Sequence, residues 1–226
     1  ISTKWTVCWG VSIKGLDTLK KKKYVYLENY TSKLNCSIEK LSEFYNKEII
    51  PANRELVEKN SDQILKKAKE ENVAFLVIGD VFSATTHKDL FLRAKEKNIE
   101  VKIIHNTSIL TAIGTVGLEL YNYGKITSMP FFEKSYMPET PYTVIKQNKN
   151  QGLHTLILFD IKKDEEKYMS VGQAINQFLE IERKRKEKVF TEDTMLIGCA
   201  RIGASDYKIK YDKVKNLKKV DFGEPL

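Results

Sequence analysis

Two apolar runs in the middle of the chain are each followed by a small polar turn and then by a helical pattern. The first run, Val73–Ile78, ends at Gly79-Asp80, and the second, Val101–Ile104, ends at His105-Asn106. A strand that leads into a helix through a short turn is the repeating unit of a parallel α/β sheet. Ligands bind beyond the carboxyl ends of such strands, so these two turns are predicted to line a ligand site.

Strand and helix patterns alternate along most of the chain, which predicts an α/β fold of two domains, residues 1–122 and 123–226. Helical spacing of apolar residues predicts helices over Ile13–Lys23, Ser42–Glu48, Ser61–Glu71, His87–Lys97, Thr107–Tyr121 and Val171–Lys186. Apolar or alternating runs predict strands over Tyr24–Leu27, Val73–Ile78, Ile99–Ile104, Ile126–Phe132, Leu153–Ile161, Met195–Ala200 and Tyr207–Tyr211. Met137–Tyr142 contains two prolines and is predicted to be a connection, while Gly114 and Gly117 are expected to break or kink the helix in which they lie.

The composition favours a soluble globular protein, with 42% hydrophobic residues in a chain of 226. No apolar run approaches the roughly 18 residues that a membrane helix needs. The first residues lack a basic segment followed by an apolar one, so no secretory signal is expected. We therefore expect a cytoplasmic protein without a membrane segment.

Cysteine and histidine are too sparse and too scattered to predict a metal site. Cys8, Cys36 and Cys199 fit no CxxC pattern, and their odd number favours reduced cytosolic thiols over a disulfide scaffold. The three histidines show no metal-ligand spacing such as HxxxH. A metal enzyme is not expected.

The net charge of +8 leaves two interpretations open. It is compatible with nucleic acid, ribosomal or acidic protein partners. It is equally compatible with solvated helix faces and turns, because the lysines cluster at Lys20–Lys23, Lys66–Lys69 and Arg183–Lys188, and glutamate lies within or directly beside two of these clusters.

The two polar turns contain the candidate chemistry. Asp80 could accept hydrogen bonds from a ribose hydroxyl or an amine, or it could simply cap its own turn. Ser108 could leave backbone N–H groups free for an anion, or it could cap the helix that follows. His105 is interpreted as a structural histidine more readily than as a base.

No known nucleophile motif or phosphate-binding motif is present. The chain has no GxGxxG, Walker or GxSxG pattern, and no Ser/His/Asp or Cys/His trio can be assembled by spacing. The sequence therefore assigns no catalytic residue. An enzyme that transfers a group by positioning two substrates is expected to have such a sequence.

Eight segments, in order, resemble the diphthine synthase family. They cover nearly the whole chain after Ser12: YLENYTS (Tyr26–Ser32), GDVFSATTH (Gly79–His87), IHNTSI (Ile104–Ile109), GLELYNYG (Gly117–Gly124), LHTLILFDI (Leu153–Ile161), YMSVGQA (Tyr168–Ala174), ARIGA (Ala200–Ala204) and DFGEPL (Asp221–Leu226). Each segment alone is weak, but eight in the family's order are specific.

The resemblance implies an S-adenosyl-L-methionine-dependent methyltransferase with the tetrapyrrole methylase fold. This class III fold has two α/β domains with the cofactor in the cleft between them, and its members are usually homodimers. The implied protein substrate is translation elongation factor 2, on a histidine that carries a 3-amino-3-carboxypropyl group. The methyl groups go to the amine of that group and, in eukaryotes, to its carboxylate, a step of diphthamide biosynthesis. No contact with membranes or nucleic acid is implied.

The resemblance also implies the cofactor contacts, carried over position by position. They fall on Asp80, Ser83, Ser108, Ile109, Phe159 and Ile202. Phe159 replaces an aliphatic residue typical of the family. The family's glycine-rich first loop has no counterpart that can be aligned in residues 1–11, and the family's connection between Asp160 and Tyr168 is longer.

Two alternatives remain beside this interpretation. One is another tetrapyrrole methylase relative, acting on a corrinoid or on ribosomal RNA, although the ENYTS and DFGEPL segments favour the diphthine branch. The other is a basic, non-catalytic module that binds the translation machinery.

Overall fold

The computed structural model describes residues 10–32, 36–83, 85–162 and 165–223. The chain divides into two compact units. The first contains the described residues of Ile1–Ala112 together with Gly203–Asp206, and the second contains those of Ile113–Ile202 and Tyr207–Leu226. The predicted domain boundary between residues 122 and 123 stays a prediction.

The first unit is built on a parallel sheet of three strands in the order β2-β1-β3. Its helices and strands are α1 (Ile13–Lys20), β1 (Tyr24–Glu28), α2 (Ile38–Tyr45), β2 (Ile49–Ala52), α3 (Asp62–Glu70), β3 (Val73–Leu76), α4 (Lys88–Glu96) and the short α5 (Ile109–Ala112), with a π-helical turn at Glu55–Lys59. In the central strand, Val25 lies opposite Ile49 on one side and Ala74 on the other.

Side chains of β1 alternate between two apolar clusters, as the period of a strand requires. Val25 and Leu27 pack with Leu19 and Leu41 on one face of the sheet. Tyr26 packs on the other face with Tyr30, Ala52, Val57 and Ile64. Burial on both faces explains why β1 is apolar almost throughout, as in other parallel sheets.

The predicted elements of this unit are largely confirmed. The exceptions concern elements without a clear apolar period. The helix predicted at Ser42–Glu48 begins earlier, at Ile38, because Ser37 caps it by accepting a hydrogen bond from the Lys40 N–H. Ile99–Ile104 is not a strand, since the described residues give this segment no paired backbone partner. The alternation of apolar residues cannot distinguish a paired strand from an extended segment that only packs.

The helix predicted at Thr107–Tyr121 is broken, as the glycines suggested. It consists of α5, a 3-10 turn at Ile113–Val116 and a second 3-10 turn at Leu120–Asn122. Gly117 has a φ of +88°, which an ordinary residue rarely adopts.

The second unit contains short paired strands around one long helix. Its elements are β4 (Thr127–Met129), α6 (Thr140–Asn150), β5 (Ile157–Phe159), β6 (Ile161–Lys162), β7 (Lys167–Tyr168), α7 (Val171–Arg185), β8 (Met195–Ala200), β9 (Lys208–Lys213) and α8 (Val214–Leu217). Strands β4 and β5 are parallel, whereas β6 with β7 and β8 with β9 form antiparallel pairs.

Helix α7 confirms its predicted inward face. Ala174, Phe178 and Ile181 are buried in the core of this unit. The helix begins with a capping box, in which Ser170 and Gln173 each satisfy a backbone N–H of the other. Near its end, the Glu182 carboxylate accepts hydrogen bonds from the Tyr142 hydroxyl and from the N–H groups of 188, 189 and 190, which fixes the turn that follows.

The connection predicted at Met137–Tyr142 is wrong in its second half. Helix α6 begins at Thr140, and Pro141 lies in its first turn, where the missing N–H costs nothing. The predicted strand Leu153–Ile161 is interrupted at Asp160, whose N–H bonds the Met129 carbonyl oxygen. The predicted strand Tyr207–Tyr211 is confirmed from Lys208 onward, and β9 continues to Lys213.

Of the described cysteines, Cys199 is free, and burial raises the pKa of its thiol to about 11. Cys36 is disulfide-bonded, so the expected reduced state is wrong at this position. In the described part of the chain, no helix is long and apolar enough to cross a membrane. The same residues contain no group of three or more His, Cys, Asp or Glu side chains that could hold a metal ion.

Helix α6 is tied to the chain around Gly124 by a buried amide. The Asn148 side chain accepts a hydrogen bond from the Lys125 N–H at 3.0 Å and donates to the Lys125 carbonyl and the Thr155 hydroxyl at 2.9 Å. A Cβ atom on residue 124 would stand 2.3 Å from the Asn148 side-chain oxygen, so only glycine fits there.

We expect Asn148→Ala to lower the free energy of unfolding by about 1–3 kcal/mol, because it removes the three hydrogen bonds of a buried amide that joins helix α6 to Lys125 and Thr155. Denaturant unfolding followed by circular dichroism measures this change. Gln147→Ala, at the exposed neighbouring position of the same helix, is the matched control and is expected to change the free energy by no more than about 0.5 kcal/mol. Equal effects of the two substitutions would contradict the assigned role of Asn148.

Candidate functional site

The two polar turns predicted from the sequence lie against each other in the first unit. Gly79 follows β3 with a φ of +94°, a conformation that favours glycine. A Cβ atom there would stand 3.8 Å from the Thr107 carbonyl oxygen and 3.9 Å from the Ser108 Cα. The backbone of 79–83 therefore approaches the backbone of 105–108 closely, which we call the paired loops.

The carboxylate of Asp80 joins the paired loops. One oxygen, Oδ1, accepts hydrogen bonds from the Phe82 N–H and the Ser83 hydroxyl, both at 3.1 Å. The other, Oδ2, is 3.1 Å from the Asn106 nitrogen and 2.8 Å from His105 Nδ1. A carboxylate has about four acceptor positions, so the paired loops themselves occupy all of them.

Electrostatics keep this buried carboxylate ionised. Asp80 is only 6% exposed, and burial by itself would raise its pKa. The hydrogen bonds from the Phe82 N–H, His105, the Asn106 N–H and Ser83 outweigh that effect and hold the pKa of Asp80 below its usual value. The structure thus shows Asp80 capping its turn and joining the two loops, while its contact with a ligand stays a prediction.

His105 lies at the exposed end of this arrangement. Its side chain is 71% exposed, although its Nδ1 atom contacts the buried carboxylate. Because an ionised carboxylate can only accept, Nδ1 carries a proton, and in the neutral ring Nε2 is the nitrogen with the lone pair. The neighbouring Asn106 side chain donates to the Gly10 carbonyl at 2.7 Å, which attaches the paired loops to the described start of the chain.

Ser108 and Ile109 begin the short helix α5. The buried Ser108 hydroxyl accepts a hydrogen bond from the Leu110 N–H at 3.1 Å, so the capping alternative describes its side chain. Its carbonyl accepts from the Ala112 N–H at 2.9 Å. Ile109 is half-buried beside it.

The other two predicted residues lie in the second unit. Phe159 ends β5 and is a half-buried side chain at the margin of the core. Ile202 is buried and follows Arg201, whose φ is +54°. The structure therefore brings together Asp80, Ser83, Ser108 and Ile109, and places Phe159 and Ile202 in a separate unit.

A further polar turn, at Glu28–Thr31, was not singled out as a candidate site from the sequence. Glu28 ends β1 without any exposed surface, and one of its carboxylate oxygens accepts hydrogen bonds from the Tyr30 and Thr31 N–H groups. His87 is buried near the rings of Tyr30 and Phe75. Burial lowers the pKa of His87, and within the described residues neither ring nitrogen has a hydrogen-bond partner. The sequence signals were the position of Glu28 directly after a predicted strand and its place in the YLENYTS segment, which resembles the diphthine synthase family.

We expect Asp80→Asn to destabilise the protein at neutral pH by about 1.5–3 kcal/mol, because an amide cannot accept all four hydrogen bonds. A depressed pKa contributes stability that is present above the unfolded value near 3.9 and is lost as the pH falls through the folded pKa. The difference between the wild type and the variant should therefore shrink below about pH 4.

Denaturant unfolding at pH 7 and at pH 3 measures both effects. Asp17→Asn is the control, since the Asp17 side chain is 62% exposed and pairs only loosely with Lys20 at 3.8 Å. A difference between Asp80→Asn and the wild type that is the same at the two pH values would contradict the assigned electrostatics.

Comparison with known proteins was consistent with the resemblance noted in the sequence. The family model for tetrapyrrole (corrin/porphyrin) methylases matches residues 9–218. The diphthine methyl ester synthase of Dictyostelium discoideum is 48% identical over 96% of this chain and 85% of its own length. The diphthine methyl ester synthase of Saccharomyces cerevisiae is 47% identical over 96% of this chain and 77% of its own length.

Solved structures show the same similarity. A crystal structure of diphthine synthase superimposes with a TM-score of 0.86 and 35% sequence identity, over 96% of this chain and 81% of that one. The two-unit α/β architecture is thus the tetrapyrrole methylase fold that the sequence predicted. The chain belongs to the diphthine methyl ester synthases of the tetrapyrrole methylase family.

Proposed function

We propose that this chain transfers methyl groups from S-adenosyl-L-methionine to the 3-amino-3-carboxypropyl group on a histidine of translation elongation factor 2. Family membership supports the methyltransferase class directly, because the similar proteins are named for forming diphthine methyl ester. The observation that carries the proposal is the identity of 48% across 96% of the chain, which includes both paired loops.

The paired loops fit one part of such a cofactor. Gly79 has no side chain, so its backbone and that of Thr107 and Ser108 offer polar atoms at close range. The carboxylate of Asp80 is already fully hydrogen-bonded, so in this proposal it acts by holding the loops in place. Ser83 and Ile109 complete the contacts in the first unit, and the family pattern adds Phe159 and Ile202 as apolar contacts.

The absence of an assigned protein nucleophile agrees with this chemistry. When bound, the cofactor supplies an electrophilic methyl group on a sulfonium, and the substrate supplies the attacking amine or carboxylate. The chain therefore has to bind both, align them and exclude water. A rigid loop pair that is fixed by a buried carboxylate suits that task, because positioning requires residues that are themselves held in place.

Three finer points belong to the same proposal. The enzyme works in the cytoplasm, as a homodimer, and it recognises a protein rather than nucleic acid. The basic surface of the chain is compatible with recognition of a translation factor.

Calorimetric titration with S-adenosyl-L-methionine, followed by a methyl-transfer assay, tests the proposal. We expect one-to-one binding and a mass increase of elongation factor 2 that bears the 3-amino-3-carboxypropyl group. Binding without transfer would favour another substrate, such as a corrinoid or ribosomal RNA. No binding and no transfer would favour the non-catalytic binding module.

We expect Gly79→Ala to weaken cofactor binding about tenfold or more, because the positive φ is strained in alanine and relief of that strain displaces the backbone of the paired loops. Gly152→Ala is a matched control, since Gly152 also has a positive φ, +70°, and a Cβ atom there meets nothing within 4 Å. Both variants lose some stability, but only Gly79→Ala should lose affinity in the titration. Equal affinities would contradict a cofactor site at the paired loops.

A further inference from the structure

Among the three histidines, only His105 combines an exposed ring with a buried carboxylate partner. Nδ1 lies 2.8 Å from Asp80 Oδ2, and the side chain is 71% exposed. Among the described residues, the charged side chain that contacts this ring is Asp80. The other acceptor positions of the Asp80 carboxylate are filled by the Phe82 N–H, the Ser83 hydroxyl and the Asn106 N–H. The ring is therefore held at Nδ1 on a largely exposed side chain, and Nε2 has a lone pair when the ring is neutral.

Methylation of an amine and methylation of a carboxylate differ in whether a proton must be removed from the reacting group. The third transfer leaves a quaternary ammonium without a proton, but each of the first two leaves an ammonium that carries one, and an amine must be neutral to attack. That proton has to leave before the next methyl can be added. A carboxylate attacks as the anion and releases no proton. A proton acceptor is thus required for the first reaction only.

We propose that Nε2 of His105 is the proton acceptor for methylation of the substrate amine. This inference relies on the proposed function, because it assigns a role within that reaction. His105 contacts Asp80 and lies three residues before Ser108, in the loops proposed to hold the cofactor, and the proposal places its exposed edge beside the methyl group of the bound cofactor.

The step balances in atoms and charge. The amine lone pair attacks the methyl carbon, the C–N bond forms, and the C–S bond breaks with its electron pair left on sulfur. The new ammonium gives its proton to Nε2, and the resulting imidazolium stays paired with the Asp80 carboxylate. The proton then passes to water, which the exposed ring can reach, and the histidine is ready for another cycle.

The test compares two forms of elongation factor 2, one with the free amine and one whose amine already carries three methyl groups. For His105→Asn we expect methylation of the amine to slow by about 100-fold, the lower range for a general base. We expect methyl ester formation on the trimethylated form to fall far less, so that the ratio of the two rates changes by about 30-fold, and the titration measures how much of either loss comes from weaker cofactor binding. His154→Asn is the control, since His154 is exposed but contacts Tyr123 rather than a carboxylate.

A second measurement uses added imidazole with His105→Ala. Because the ring position is exposed, free imidazole should restore methylation of the amine in this variant and leave the wild type unchanged. Equal loss of amine and carboxylate methylation, or no loss at all, overturns the role of His105. A wild-type protein that binds the cofactor but methylates neither form overturns the proposed function as well, so the two failures are distinguishable.

Discussion

The buried carboxylate of Asp80 is the interaction on which the candidate site depends. A charge in a protein interior is tolerated only when it is fully hydrogen-bonded, and Asp80 receives four donors from two separate loops. The same bonds determine the turn after β3, place the Asn106 backbone and orient the ring of His105. A substitution at Asp80 is therefore expected to alter the positions of the candidate residues of the first unit, whether or not they contact a ligand.

This constraint suits the chemistry that the family performs. Substrate and cofactor provide both reacting groups, so the protein contributes geometry and little covalent chemistry. Two substrates are aligned best by a rigid backbone. Gly79 permits the positive φ of its turn, and the hydrogen bonds of Asp80 and of the Ser108 hydroxyl then hold the paired loops in place. Comparable anchors recur in the second unit, where Glu182 and Asn148 each satisfy several backbone groups from within the core.

The sequence predicted those elements that have an unambiguous apolar period. Helix α7 and strand β8 were located within a residue or two, because their buried side chains recur at the expected spacing. Strand β2 was missed since it is only four residues long and contains Pro51, which an edge strand of the described sheet tolerates. Helix α6 was not predicted, because the prolines of Met137–Tyr142 favoured a connection there. In both cases proline was acceptable for a positional reason that composition does not reveal.

The candidate site was located in sequence, but its internal chemistry was not. Asp80 and His105 are 25 residues apart, and nothing in their spacing predicts that they share a proton-bearing contact. The three histidines make the reason clear. His87 is buried without a hydrogen-bond partner among the described residues, His154 is exposed against an aromatic ring, and His105 is exposed with a carboxylate behind it. The residue type is the same in all three, so only burial and partners decide which ring can exchange a proton with a ligand, and those are properties of the fold.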